Sequence, residues 1–279
     1  MTRQTIRRAL GVTIAATAVF ASAPAAQATD IFGITQKGEL AKFDSKQPSK
    51  VKTNKLKGLP DGVKLVGIDQ RPSNGKLYGI GDDSTVYRIS NSGDATAIDD
   101  SVLGTGFGGL GGEALDGKSF GVDFNPVPDA IRIVSDTGQN LRVSPETGQL
   151  IASDGDINGA KAQIVDAGYT NSQQSDEAPE AAVLYVLDAL ENRIYTQSPP
   201  NDGTLVNPVD LDIDITKKSG FDLVGSGEKG FIADGKGKSS KLYRVKGEVN
   251  LGLSGNTKSL GKVKAGSRLV ALAVSQPKS

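Results

Sequence analysis

The sequence predicts an all-β protein, a five-bladed β-propeller whose C-terminal strand closes the first blade. Three observations carry this: a short apolar strand signal that returns along the chain, Gly/Asp/Asn turns between such signals, and a strand left over at the end. The recurring signals are Ile31-Phe32-Gly33-Ile34, Leu77-Tyr78-Gly79-Ile80, Ile131-Arg132-Ile133-Val134, Leu184-Tyr185-Val186-Leu187 and Gly230-Phe231-Ile232-Ala233, which start 46, 54, 53 and 46 residues apart. A period near that length marks a radially repeated architecture.

Each signal is the second strand of a unit. Partners follow it across tight turns: Leu40–Phe43, Val86–Ile89, Leu141–Val143, Ile194–Thr196 and Leu242–Val245. First strands precede it at Leu65–Asp69, Phe120–Phe124, Ile164–Tyr169, Phe221–Val224 and, at the very end, Leu269–Ala273. Weaker fourth strands are expected at Val51–Leu56, Ala95–Ile98, Gln149–Ala152, Val209–Ile213 and Ser259–Val263. The chain thus opens on a second strand and ends on a first strand, and pairing the two latches the ring and removes two open sheet edges. Ala178 to Leu190 could pass for a helix, but Val183–Leu187 fits the strand repeat better. A β-sandwich is the alternative fold, since short strands with regular turns suit both.

Residues 1–28 read as a signal peptide: Arg3, Arg7 and Arg8, an apolar stretch from Ala9 to Ala23, then Ala26-Gln27-Ala28 as an A-x-A cleavage site. Residues 29–279 are then a single propeller domain, secreted after cleavage behind Ala28. Arg7-Arg8 also admits the twin-arginine route, although Thr5 to Leu10 lacks the fuller consensus. Removing three arginines from a chain balanced at 32 basic and 32 acidic side chains leaves a net charge of −3, which offers no field for nucleic acid. No later segment resembles a transmembrane helix, so no membrane insertion is expected.

The composition excludes whole chemistries. With His, Cys and Trp at zero there is no imidazole base, no catalytic triad, no thiolate and no disulfide. Carboxylate, amide, hydroxyl, Lys, Arg and Tyr remain, a palette suited to calcium, sugars and peptides. In a propeller, the turns between second and third strands share a face with the connections from each fourth strand to the next first strand. Ligand-binding candidates on that face are Asp82, Asp83, Asp136, Gln139 and Asn140.

Asp154-Gly155-Asp156-Ile157-Asn158-Gly159 reproduces the first half of an EF-hand-like loop, with oxygen donors at alternate positions before a glycine. Asp154, Asp156 and Asn158 are therefore candidate Ca2+ ligands, although Val165 stands where the closing bidentate acid belongs; the alternative is a solvated Asp/Asn/Gly turn. Gly104-Thr105-Gly106-Phe107-Gly108-Gly109 matches G-x-G-x-x-G without the helix start that would receive a phosphate, and reads as a flexible loop. Ser-x-x-Lys spacings at Ser49/Lys52, Ser73/Lys76 and Ser259/Lys262 lack helical context and read as coincidence.

Three stretches resemble one family. Phe120-Gly121-Val122-Asp123-Phe124-Asn125-Pro126, running on through Asp129 to Arg142, looks like the signature of the exported bacterial family catalogued as domain of unknown function 4394. Leu65 to Pro72 with Leu77-Tyr78-Gly79, and Pro199-Pro200-Asn201-Asp202-Gly203-Thr204-Leu205, look like its other landmarks. Where the family often has Asp-Arg-Ile-Arg, this chain has Asp129-Ala130-Ile131-Arg132. The resemblance implies a secreted, propeller-like protein and supplies no activity. The motif itself reads as straddling its blade, with Asp123 and Asn125 after the inner strand and Asp136, Gln139 and Asn140 at the opposite face. A structural role stands beside the functional one: turn closure by Asp and Asn, and pairing of Arg132 or Arg142 with carboxylates between blades.

The expected function is a non-catalytic binding or interaction module, a monomer that meets an extracellular protein or glycan. The alternative is a carboxylate-dependent glycan hydrolase, whose paired acids would come from Asp82, Asp83, Asp136, Asp154 and Glu191 on the same face.

Overall fold

The computed structural model describes residues 28–98, 113–227, 229–248 and 252–278. The predicted leader, up to Gln27, and the Gly104–Gly109 fingerprint lie outside them.

Five four-stranded antiparallel sheets form the blades of a five-bladed propeller. Blade 1 combines β20 (Leu269–Val274), β1 (Asp30–Thr35), β2 (Glu39–Asp44) and β3 (Lys52–Lys55). Blade 2 holds β4 (Leu65–Gln70), β5 (Leu77–Gly81), β6 (Val86–Ile89) and β7 (Ala95–Ala97). Blade 3 holds β8 (Phe120–Asn125), β9 (Ala130–Ser135), β10 (Asn140–Val143) and β11 (Leu150–Ser153). Blade 4 holds β12 (Ile164–Tyr169), β13 (Leu184–Asp188), β14 (Arg193–Gln197) and β15 (Leu205–Asp210). Blade 5 holds β16 (Ser219–Val224), β17 (Lys229–Lys236), β18 (Ser239–Glu248) and β19 (Gly252–Val263).

The latch is as expected: β20 pairs antiparallel with β1, Phe32 opposite Ala273 and Gly33 opposite Leu272. Two outer strands differ from expectation. β15 runs Leu205–Asp210, not Val209–Ile213, because Pro208 disguised a strand that, bonded only to β14, tolerates proline at its free edge. β19 begins at Gly252, well before Ser259, because Gly252, Gly255 and Gly261 interrupt its apolar alternation.

Apolar residues on the strands pack between blades. Among the described residues the core divides into clusters that each span two neighbours. Phe32, Ile34 and Leu40 meet Ile68, Leu77 and Tyr87 across blades 1 and 2. Ile31, Phe43 and Leu272 meet Phe231 and Leu242 across blades 1 and 5, so the latch is covered by side chains on both faces. The innermost strands approach so closely that glycine is required: a Cβ on Gly121 would sit 2.7 Å from the backbone of Ala167, and one on Gly220 would sit 2.6 Å from Leu272. Among the described residues no helix is long and apolar enough to cross a membrane.

Candidate functional site

Each innermost strand pairs on one side only and turns the other edge toward the central channel. Its unpaired N–H groups need acceptors, since burying them bare is costly. Four aspartates meet that need by reaching from one blade to the next. Asp69 Oδ2 accepts from Phe124 N at 2.8 Å, Asp123 Oδ1 from Tyr169 N at 3.1 Å, Asp166 Oδ2 from Phe221 N at 2.8 Å and Asp222 Oδ2 from Val274 N at 2.6 Å. The remaining joint is made by an amide, Gln70 Oε1 accepting from Gln276 N at 2.7 Å. The ring of blades is thus stitched at every junction.

The repeat behind this is short. Gly67-Ile68-Asp69, Gly121-Val122-Asp123 and Gly220-Phe221-Asp222 occupy matching places opposite β5, β9 and β17, whereas blade 4 inverts the order as Asp166-Ala167-Gly168. Asp69, Asp123 and Asp222 therefore share one level of the channel, with one carboxylate oxygen from each within 4.8 Å of the others, and all are buried. The motif aspartate Asp123 lies inside its inner strand, not after it as expected, since β8 runs on to Asn125.

Burial, then the neighbouring carboxylates, push Asp69 and Asp123 well above the ordinary carboxylate range. Burial pushes Asp222 up to about 8 and raises Asp166 as well. Burial and mutual repulsion thus favour the protonated forms of these carboxyls. Three such oxygens could also approach a cation, yet both oxygens of Asp69 and both of Asp222 already accept backbone N–H groups. The chemistry the cluster displays is that of a stitched joint.

Beyond this level the channel is crossed by the protein itself. Gln174, in the connection between β12 and β13, donates from Nε2 to Gln70 Oε1 of blade 2 and to Gln276 O behind blade 1. Its backbone N–H bonds Pro277 O, Ser175 N bonds Pro72 O in blade 2, and Ser172 N bonds Gly225 O in blade 5. Gln276 adds Nε2 to Leu223 O and takes Gly225 N on Oε1.

Among the described residues nothing crosses the opposite end. A cavity of about 270 Å3 lies where the inner strands begin, and its lining draws on all five blades: Leu65, Phe120, Val165, Lys217 with Lys218, and Val270. Lys64, Lys118, Asp82, Ile34 and the Thr35–Gly38 turn complete it.

Of the residues expected to bind ligand, only Asp82 lines this cavity. Its Oδ1 accepts Lys64 N at 2.9 Å, and Asp136 Oδ1 accepts Lys118 N at 2.8 Å, each tying a turn to the start of the inner strand. Asp188, the last residue of β13, and Asp234, within β17, repeat that tie to Gln163 N and Thr216 N, so aspartates at or near the ends of the second strands serve the blades. Asp83 accepts the Tyr87 hydroxyl at 2.7 Å. Gln139 accepts Asp116 N and donates to Ala114 O, anchoring the end of the long connection before β8.

The remaining candidates gather between blades 3 and 4. Arg132, only 1% exposed, donates to Asp154 Oδ2 at 2.6 Å, to Asn140 Oδ1 at 2.7 Å and to Asn201 Oδ1 at 2.7 Å. Arg142 takes both oxygens of Asp154, at 2.7 and 2.9 Å. Burial pushes the Asp154 carboxyl up, and the guanidiniums of Arg142 and Arg132 outweigh it, holding the group below the usual carboxylate range. Asn140 Nδ2 donates to Gly155 O and Pro200 O, and Asn158 Nδ2 to Asp156 O and Asp202 O. The Asp154–Gly159 segment is therefore a seam against the Pro199–Leu205 loop, with the short 3₁₀ turn Pro200–Asp202 within it. At the other side of blade 3, Arg71 Nε donates to Asp129 Oδ1 at 2.9 Å, joining blades 2 and 3.

Sequence reasoning missed the carboxylates inside the inner strands and the lysines just before them. The signal was present in the Gly-x-Asp repeat and in Lys64, Lys118, Lys217 and Arg268, which precede Asp69, Asp123, Asp222 and Ala273 by the same offset.

Solved structures similar to this chain are distant in sequence. A chain from a nidogen/laminin complex is 12% identical with a TM-score of 0.48, covering 91% of this chain and 100% of that one. A Bacteroides thetaiotaomicron protein of unknown function is 14% identical with a TM-score of 0.49, covering 91% and 68%. PorZ, a surface component of the type-IX secretion system of Porphyromonas gingivalis, is 13% identical with a TM-score of 0.39, covering 87% and 27%. No curated protein matches the chain. The residues that join blades 2, 3 and 4, among them Arg71, Asp129, Arg132, Asn140 and Asn201, fall within the span 39–273 matched by the model of a domain of unknown function, DUF4394, and the chain belongs to that family.

Proposed function

We propose that the protein is an exported, non-catalytic binding module whose ligand seats at the open mouth of the propeller channel. The observation that carries this is the asymmetry of the channel: Gln174 and Gln276 bridge the blades across one end, and the cavity drawing on all five blades lies at the other. A concave site assembled from several rigid elements is the usual place for a small ligand.

The acids support binding over hydrolysis. Glycoside hydrolysis needs two carboxyl groups facing one bond across roughly 5 to 10 Å. Among the described residues the cavity has one carboxylate in its lining, Asp82, while the clustered aspartates lie buried along the inner strands and accept backbone N–H groups. Export rests on the leader read in residues 1–28, and N-terminal sequencing of the exported chain is expected to begin at Thr29.

A fragment screen followed by amide chemical shifts of the labelled chain tests the site. Binding fragments are expected to move Leu65, Phe120, Val165 and Val270 together. Fragments that move the Gln174 and Gln276 end, or none that move the mouth, would overturn the reading.

A further inference from the structure

We propose that the mouth is an anion site for a small organic acid or phosphate ester with an apolar or sugar body. This rests on the mouth being the binding end, as proposed above.

Among the described residues the lining carries Lys64, Lys118, Lys217 and Lys218 against one carboxylate, Asp82, in a chain whose acidic and basic side chains balance overall. The lysines come from three blades and converge on one cavity, and among the described residues none of the four forms an ion pair. Nearby acids are already engaged: Asp82 and Asp136 turn Oδ1 to the backbone N–H groups of Lys64 and Lys118. Like charges held around one concavity repel, and the propeller gains no joint from them. A bound anion reverses the sign of that interaction, and a cavity with low-dielectric walls focuses the field on it.

The ligand's body follows from the rest of the lining. Leu65, Phe120, Val165 and Val270 give the same cavity an apolar part. A volume of about 270 Å3 holds a molecule of monosaccharide size, smaller than a typical drug-sized pocket admits. Lysine binds as a mobile point charge, without the fixed fork by which arginine selects a planar carboxylate. Phosphate and carboxylate therefore share this chemistry.

Isothermal titration with glucose 6-phosphate, glucuronate and glucose separates the two anions and the neutral control. We expect one or both charged sugars to bind, to weaken roughly tenfold or more between low and high salt, and to be lost in the triple variant Lys64→Gln/Lys118→Gln/Lys217→Gln at an unchanged Tm. Glucose is expected not to bind. A phosphate-only or glucuronate-only response names the source of the charge and supports the proposal. Glucose binding as well as the charged sugars, abolished by the mouth-filling Val270→Trp, would overturn the anion inference and leave the mouth as the site. Charged sugars binding equally to the wild type, the triple variant and Val270→Trp would overturn both. Absence of binding by either charged sugar would overturn the anion inference, with the fragment map deciding the mouth.

Discussion

The two ends of the channel are built from the same strands and differ in what their polar groups do. Toward the crossed end, carboxylates and amides are buried, and each of the four aspartates and Gln70 accepts a backbone N–H from another blade. At the open end, lysine side chains from three blades surround a cavity, and their ammonium groups form no ion pair among the described residues. One end spends its polarity on holding the ring together. The other, in the binding role we propose, presents it to a ligand. The lesson is that charge in a propeller channel has to be read together with its partners: an acid saturated by N–H donors is architecture, whereas an unpaired cation on a concave surface has a use still to be found.

The comparison sharpens first at the joints. Arg132→Met should cost about 2–4 kcal/mol, because it takes one of two guanidiniums from Asp154, which keeps Arg142, and leaves the buried Asn140 and Asn201 Oδ1 atoms without this donor; Tm should fall by roughly 5–15 °C. A loss under about 1 kcal/mol in a denaturant titration would show that the seam between blades 3 and 4 does not hold the ring. Next comes Asp222→Ala, which leaves Val274 N and Leu223 N without acceptors. Relief of repulsion within the carboxyl cluster offsets part of the loss, so about 2–3 kcal/mol is expected, read as a lower denaturant midpoint.

Proton linkage offers a third test. An acid whose pKa is higher folded than unfolded takes up a proton on folding, so its stabilisation is complete below the unfolded value and is lost as pH rises through the folded one. With Asp222 moving from 3.8 to about 8, and Asp69, Asp123 and Asp166 shifted in the same direction, stability should fall across that window. Asp154 works the other way, its contribution disappearing as pH drops below the usual carboxylate range. Tm is therefore expected to peak near pH 5 and to fall by roughly 5–10 °C by pH 8.5, and Asp222→Asn should remove about a third or more of that fall. A flat profile would mean that burial does not raise these carboxyls. The smallest effect belongs to the open end, where Lys64→Gln, Lys118→Gln and Lys217→Gln should each shift stability by less than about 0.5 kcal/mol, since they break no bond of the fold. A large loss would turn the lysines into structural groups.

Much of the architecture was legible because propeller blades repeat, and repetition survives local noise. The five second strands and the latch of Leu269–Val274 on Asp30–Thr35 could be read from apolar runs and turn residues alone. The outermost strands were harder. Pro208 in β15 and the glycines of β19 weaken the alternation that marks a strand, and an edge position makes both tolerable.

The site was less legible, for a physical reason. Asp82, Asp136, Asp154 and Asn158 looked available because Asp and Asn in turns carry free oxygens when only their own neighbours are considered. Their partners lie well along the chain, as with Asn158 Nδ2 on Asp202 O or Arg132 on Asp154. The bridge made by Gln174, bonded to Gln70 and Gln276, had no local signal at all. Lys64, Lys118 and Lys217 were visible only once the inner strands were placed in register.

Crystals of the chain soaked with glucose 6-phosphate test the central claim most directly. Density for the sugar phosphate in the cavity bounded by Leu65, Phe120, Val165 and Val270, with lysine ammonium groups on the phosphate, is the predicted result. A ligand seated instead beside Gln174 and Gln276, or against the Asp154 seam, would contradict the assignment of one end to architecture and the other to binding.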